Sequence, residues 1–285
     1  MYGVIQHAPY ILSLVLPRNL QNEWGSHMFH LAAFGGAKTD STANQNVPAT
    51  ATEQALSVSS NARYISPKKV KVFAAYAQND TLASARINAP SLRNLGLPAI
   101  YPFNPTAAAV AAGPIDYRGD DGVEIQATEE FGVDASNGVS TVDFAEAGLW
   151  FRDQIEPIPA GKRFTIEGTA TITGVRDAWV NGTITLGQIL PFGTYAVIGM
   201  YCTGAAITFA RLVFPFYSYW RPGCLASPTA GGAEPLQIFR HGKVGSWGQF
   251  ISTSQPTLEI FVTTAGAVSP IVGLDLVAVN VPQGI

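Results

Sequence analysis

Two histidines open the search for chemistry. "HMFH" sets His27 and His30 three residues apart. On a helix such a pair can share a metal ion, whereas on a strand the two side chains face opposite sides. No acid or cysteine stands near enough to complete a set of three or four ligands, so a non-ligand role is expected. "GGAKTDS" at 35–41 is similar to the end of a phosphate-binding loop. That loop needs Gly directly before its Lys and again six residues before it, because backbone N–H groups must reach the phosphates. Ala37 and Ala32 stand there instead, which excludes the cradle. Cys202 and Cys224 have no His nearby, and no Gly-x-Ser-x-Gly elbow occurs. Two cysteines make neither a disulfide framework nor a zinc site; a single bridge between them is left open. The acids of "YRGDD" (117–121) and "ATEEF" (127–131) read as solvated loop charge rather than a cation site. Lys68, Lys69 and Lys71 in "SPKKVKV" read as a solvated strand entry, with lipid headgroups or genome as the alternative contact. No catalytic residue, metal ligand or cofactor is expected.

What remains is a pair of arginines in similar strings, "SARINAP" at 84–90 and "FARLVFP" at 209–215. Arg86 and Arg211 are 125 residues apart. So are Val72 and Val197, Tyr76 and Tyr201, Ala85 and Ala210, and Pro90 and Pro215. Further on, "VEIQAT" (123–128) pairs with "LEIFVT" (258–263), matching Glu124 to Glu259. "TVDFA" (141–145) pairs with "GLDLV" (273–277), matching Asp143 to Asp275. A period this long is a duplicated domain rather than a solenoid unit. The seam falls near "RDQIEPIPAGK", giving domains at 1–152 and 153–285. A buried guanidinium needs a carboxylate. The expectation is one structural ion pair per copy, with Asp143 for Arg86 and Asp275 for Arg211 favoured over the repeated glutamates.

The elements that must position these groups are strands. Among 285 residues, 28 Gly and 19 Pro are scattered between short runs such as "VKVFAAY", "TYAVIGMY" and "LEIFVTT". Runs of this kind at close spacing predict an all-β sandwich or barrel. "KRFTIEGTATIT" alternates strictly, as a half-buried antiparallel strand does. About eight strands per copy with long loops suit two tandem jelly rolls, eight-stranded antiparallel sandwiches, with other Greek keys open. Residues 35–62, 91–122 and 216–250 read as long loops, with a short helix near "ATEQAL". Ala83, Ala85, Ile87 and Ala89 form an inward face, matched by Thr208, Ala210, Leu212 and Phe214. The opposite face is polar around Arg86 but apolar around Arg211, with Phe209 and Val213, so the second copy's outer face is expected to be covered.

Charged residues are only 13% of the chain against 47% hydrophobic, and the net charge is −3. So few charges imply surface covered by partner chains. The near-neutral balance argues against nucleic acid as the main partner. Loop aromatics Tyr101, Phe103, Tyr217, Tyr219, Trp220 and Trp247 are expected to pack on neighbouring subunits. The first 20 residues lack the pattern of a signal peptide, and no run of about 20 apolar residues predicts a transmembrane helix.

Two tandem jelly rolls in under 300 residues resemble the double jelly-roll major capsid proteins of icosahedral, tailless viruses and phages. "GTYAVIGMYCTGAAITFARLVFPFYSYWRPG" also resembles capsid-like proteins of small tailless phages. The resemblance implies a virion subunit made in the host cytoplasm and assembling as a homotrimer with a pseudo-sixfold outline. It implies neighbouring capsomers and penton or minor capsid proteins as partners, commonly over an internal lipid membrane. Two other readings stay open: a carbohydrate-binding or adhesive β-sandwich, and a bicupin-type metal enzyme.

Overall fold

Runs rich in Val, Ile, Phe, Tyr and Thr become strands because branched and aromatic side chains pack well on a pleated surface. The structure, a computed structural model, describes residues 29–38, 44–78, 82–94, 115–137, 143–215, 220–227 and 234–281. The first half holds β1 (Phe29–Lys38), β2 (Gln45–Val47), β3 (Ser57–Val58), β4 (Tyr64–Ile65), β5 (Val70–Gln78), β6 (Leu82–Asn88), β7 (Asp116–Tyr117), β8 (Val123–Ile125), β9 (Glu130–Asn137) and β10 (Asp143–Arg152). The second holds β11 (Lys162–Thr169), β12 (Ile172–Gly174), β13 (Trp179–Gly182), β14 (Thr185–Leu186), β15 (Thr194–Thr203), β16 (Ile207–Val213), β17 (Gly223–Leu225), β18 (Gly248–Ile251), β19 (Thr257–Val262), β20 (Gly266–Val268) and β21 (Ile271–Asn280). The protein is all-β, with every pairing between these strands antiparallel. No helix forms at "ATEQAL"; one short helix, α1, spans Pro90–Asn94.

In the second half one sheet runs β14-β11-β21-β15-β18 and the other β13-β19-β16-β17. Setting aside the small β14 and the β12-β20 ribbon, the strands in chain order stand as first-eighth-third-sixth and second-seventh-fourth-fifth. The first half repeats this with β1-β10-β5, flanked by β7 and β8, and with β2-β9-β6, β4 and β3 continuing on the β2 side.

The repeat extends to irregularities. Ala74 faces Trp150 and Val72 faces Phe151, leaving Phe73 as an extra residue. Gly199 faces Asp275 and Val197 faces Leu276, leaving Ile198 extra, 125 residues on. Ala83 in β6 and Thr208 in β16 are likewise extra, again 125 apart. Such bulges bend a strand and re-aim its side chains. The register corrects two sequence matches. Arg86 faces Asp134 and Arg211 faces Glu259, so the equivalent acids are Asp134 and Glu259, not Glu124 and Glu259. The equivalent of Asp275 is Trp150, not Asp143. A local likeness of strings had outweighed the constant offset.

One hydrophobic cluster fills the first half and includes Val72, Ala75, Ala77, Ala85, Ile87, Phe131, Leu149 and Phe151. The other side of the same sheet, with Leu31, Phe73, Tyr76 and Trp150, belongs to the second cluster together with Phe209, Phe261 and Leu274. The sheet β1-β10-β5 is therefore buried on both faces. That is why β5 reads as a nearly continuous apolar run rather than an alternating one.

Candidate functional site: the seam between the halves

The outer face of β1-β10-β5 lies on the outer face of β13-β19-β16. The cover expected over Phe209 is thus the chain's own first half. Phe209 meets Tyr76 and Trp150 with ring centroids 6.0 and 5.8 Å apart, both near edge-on. Gly148 lets it close in: a Cβ there would fall 2.6 Å from the Phe209 ring. Trp150 Nε1 donates to Gly223 O at 2.9 Å across the seam. Thr208, expected inside the sandwich, instead donates to Glu146 and accepts from Gln78 at 3.1 Å, because the bulge turns it toward the first half.

Arg211 is the centre of the seam and is fully buried. Its Nε donates to Glu259 Oε2 at 2.6 Å, its Nη1 to Glu53 and, at 3.0 Å, to Leu31 O. The guanidinium carbon lies 3.8 Å from the centroid of the Trp179 ring, a cation–π contact. Arg221 donates Nη1 to the other Glu259 oxygen and Nη2 to Gln54 Oε1 at 2.9 Å. Two guanidinium groups thus balance two carboxylates, the condition for burying charge at all.

Local structure aims these groups. Glu53 sits in a turn and accepts from the backbone of Gln54 and Ala55, both at 2.9 Å. The turn is tied across the seam by Thr50 Oγ1 donating to Asp177 O at 2.8 Å and by Trp179 N donating to Thr52 Oγ1 at 2.7 Å. Burial alone raises a carboxyl's pKa; Arg211 and then His30 outweigh it and hold Glu53 well below the usual carboxylate range. His30 accepts on Nδ1 from Arg221 N at 3.2 Å, which leaves its proton on Nε2, 3.4 Å from Glu53. Burial lowers its pKa despite the pull of Glu53.

A second buried acid lies apart from this network. Glu146 is 3% exposed and accepts from Gln78 Nε2 at 2.9 Å and from Thr208, both uncharged donors. Burial pushes its pKa up to about 7, against the pull of those two hydrogen bonds.

The predicted ion pairs come out re-partnered. Arg211 pairs with Glu259 and Glu53, not Asp275. Asp275 is held by Arg240, at 2.6 and 2.8 Å, and by Thr165 at 2.6 Å. Burial would raise its pKa; Arg240 and Thr165 bring it below the usual range. Arg86 lies 3.6 Å from Asp134; Asp143 stands across from Lys38 at the start of β10, and its side chain lies outside the described residues. Trp247 is buried and Trp220 half-buried against residues of the chain itself. Trp247 meets Phe29 edge-on at 5.1 Å, and Trp220 meets His30 and carries the Lys68 ammonium 5.5 Å above its ring. Tyr101, Phe103, Tyr217, Tyr219 and His27 lie outside the described residues.

Glu53, Arg221, Arg240, Asp134 and Glu146 were missed. Asp134 was readable from the constant offset; Glu53 sits in the stretch read as an unpatterned loop and carried no signal. The two cysteines are free and buried; burial pushes the Cys202 thiol up to about 12 and Cys224 also far up, so neither is primed as a nucleophile. Among the described residues, no three His, Cys, Asp or Glu side chains group as a metal set, and no helix is long and apolar enough to cross a membrane. What the arrangement does chemically is clamp the two halves of the chain with a buried, charge-balanced ion cluster. A scan against protein-family models and searches of curated proteins and of solved structures return no match.

Proposed function

We propose that the chain is a virion shell protein, a double jelly-roll subunit of which three copies close into a pseudo-sixfold capsomer of an icosahedral capsid. The observation that carries this reading is the pairing of two repeated sandwiches by unlike faces. Strand order first-eighth-third-sixth over second-seventh-fourth-fifth supports reading each half as a jelly roll. Within the chain the first kind of sheet from one half seats on the second kind from the other. A head-to-tail contact of this sort leaves one face of each kind uncovered and propagates until it closes. Two sandwiches per chain and three chains give six similar units around one axis. The low charge content supports the same reading, since it leaves much surface suited to neighbouring chains. An adhesive role gains less support: the pocket lined by Asn46, Asn61, Arg63, Asn88, Pro90 and Glu130 has no aromatic platform for a sugar ring.

The test is native mass by light scattering across a concentration series, followed by electron microscopy of the assembled material. A discrete trimer that goes on to form closed shells is expected. A monomer at every concentration removes the reading.

A further inference from the structure

We infer that the loop 187–193 and the outer face of β11 of one copy dock onto the outer face of β2-β9-β6 of the next. This rests on the proposed assembling subunit and names the surfaces it uses.

The receiving platform occurs twice in the chain. On β13-β19-β16 it carries Asn181, Arg211 and Glu259, and the first half is seated on it. On β2-β9-β6 the register puts Asn46, Arg86 and Asp134 at the same three places. There the Arg86 side chain keeps 38% of its exposure, whereas Arg211 keeps none. Asn46 Oδ1 on this second platform is buried without a hydrogen-bond partner. Beside it lies a pocket of about 390 Å³, lined by Arg63, Pro90 and the amides of Asn61 and Asn88.

The presenting side also occurs twice. In the first half, the connection from second to third strand carries Glu53 and Gln54 across the seam onto Arg211 and Arg221. In the second half, the same connection contains "GQILPFG". Ile189 there is 98% exposed and Phe192 62%. The loop holds them out rather than leaving them loose. Gly187 N donates to Glu167 O at 2.8 Å, Ser252 N donates to Gly193 O at 3.0 Å, and Leu190 between them is buried. Two large apolar side chains on a pinned loop, at the place where the sister loop makes a contact, mark an unfilled contact.

The two interfaces differ in chemistry. Phe209 and Phe261 of the inner seam correspond to Ser84 and Ser136, 125 residues earlier. Leu31 corresponds by register to Thr165, exposed on β11, whereas the counterpart of Trp150, Asp275, is buried beneath Arg240 and His241. The outer contact is thus polar around two apolar anchors, the anatomy of an interface between separately folded chains. Pro90 and the aliphatic stem of Arg63 offer apolar cover to Ile189 and Phe192.

The experiment compares full-length wild type with I189D, and with V175D as a control at another exposed residue, Val175 (54%). Mass is read by sedimentation velocity and folding by circular dichroism. I189D is expected to dissociate with a constant raised at least about tenfold, while V175D assembles as wild type and all three melt alike. If I189D assembles as well as wild type, this interface is overturned and the subunit reading survives; a wild type that never assembles overturns both. A second arm pairs I189C with N61C, the native thiols being buried. A disulfide between copies is expected, and its absence in protein that still assembles also overturns the interface.

Discussion

Arg211 and Arg86 occupy one position of the repeat in two different media. Arg211 has no contact with water and holds Glu53 and Glu259, so R211A leaves buried carboxylates without a counter-charge. The expected loss is about 3–5 kcal/mol in chemical denaturation. R86A removes a half-open pair at 3.6 Å and is expected to cost at most about 1 kcal/mol. Equal losses would contradict the medium as the cause. Glu146 gives a pH signature. Its folded pKa of about 7 lies above its ordinary 4.5, so between these values the folded state binds the extra proton. Its contribution to stability is full below about pH 4.5 and is lost as pH rises through 7. The loss amounts to about 3 kcal/mol. Asp177, also raised by burial, acts in the same direction, and neighbouring Arg176 opposes both. E146Q is expected to gain on wild type between pH 5 and pH 8 in denaturation midpoints; an unchanged difference at the two pH values would sink the assignment.

Glycine placement separates the two central strands β10 and β21. Gly148 and Gly273 are equivalent, facing Tyr76 and Tyr201 across their sheets. A Cβ at 148 meets Phe209, which is locked in the seam, while one at 273 meets the Tyr201 ring on the outer face. G148A is therefore expected to destabilise by about 1–3 kcal/mol. G273A is expected to cost less, because the half-buried Tyr201 ring can swing outward. Thermal melts of the two variants check the order. The strands were legible because alternation is a local signal, and the 125-residue offset that recurs in the strand register was legible because it is a repeated one. The inward face of β6, with Ala85 and Ile87, followed from alternation alone. The bulge at Thr208 was not legible, since one inserted residue flips the side chains that follow it. The ion cluster was half legible: Arg211 stood out, but Glu53 reaches it from 158 residues away, and nothing local to Glu53 announces that.

At the scale of the molecule, the seam decides how the halves behave. Interfaces between domains of one chain are usually polar enough to permit relative motion. This one buries Leu31, Phe73, Tyr76, Trp150 and Phe209 in the same cluster as the second half's core, with an ion cluster sealed at its centre. Separating the halves would expose that apolar face and uncover Arg211, Glu53 and Glu259 without forming new pairs. Neither sandwich therefore has a complete core alone, and the two are expected to melt as one unit. In calorimetry of the chain at a concentration where light scattering gives the mass of one copy, a single transition with equal calorimetric and van't Hoff enthalpies is expected. Two resolved transitions would mean that the halves are independent domains in contact. In the proposed assembly the same seam would set the angle of each outer contact, and a head-to-tail contact closes at a defined number of copies, rather than running on as a filament, only when that angle is fixed.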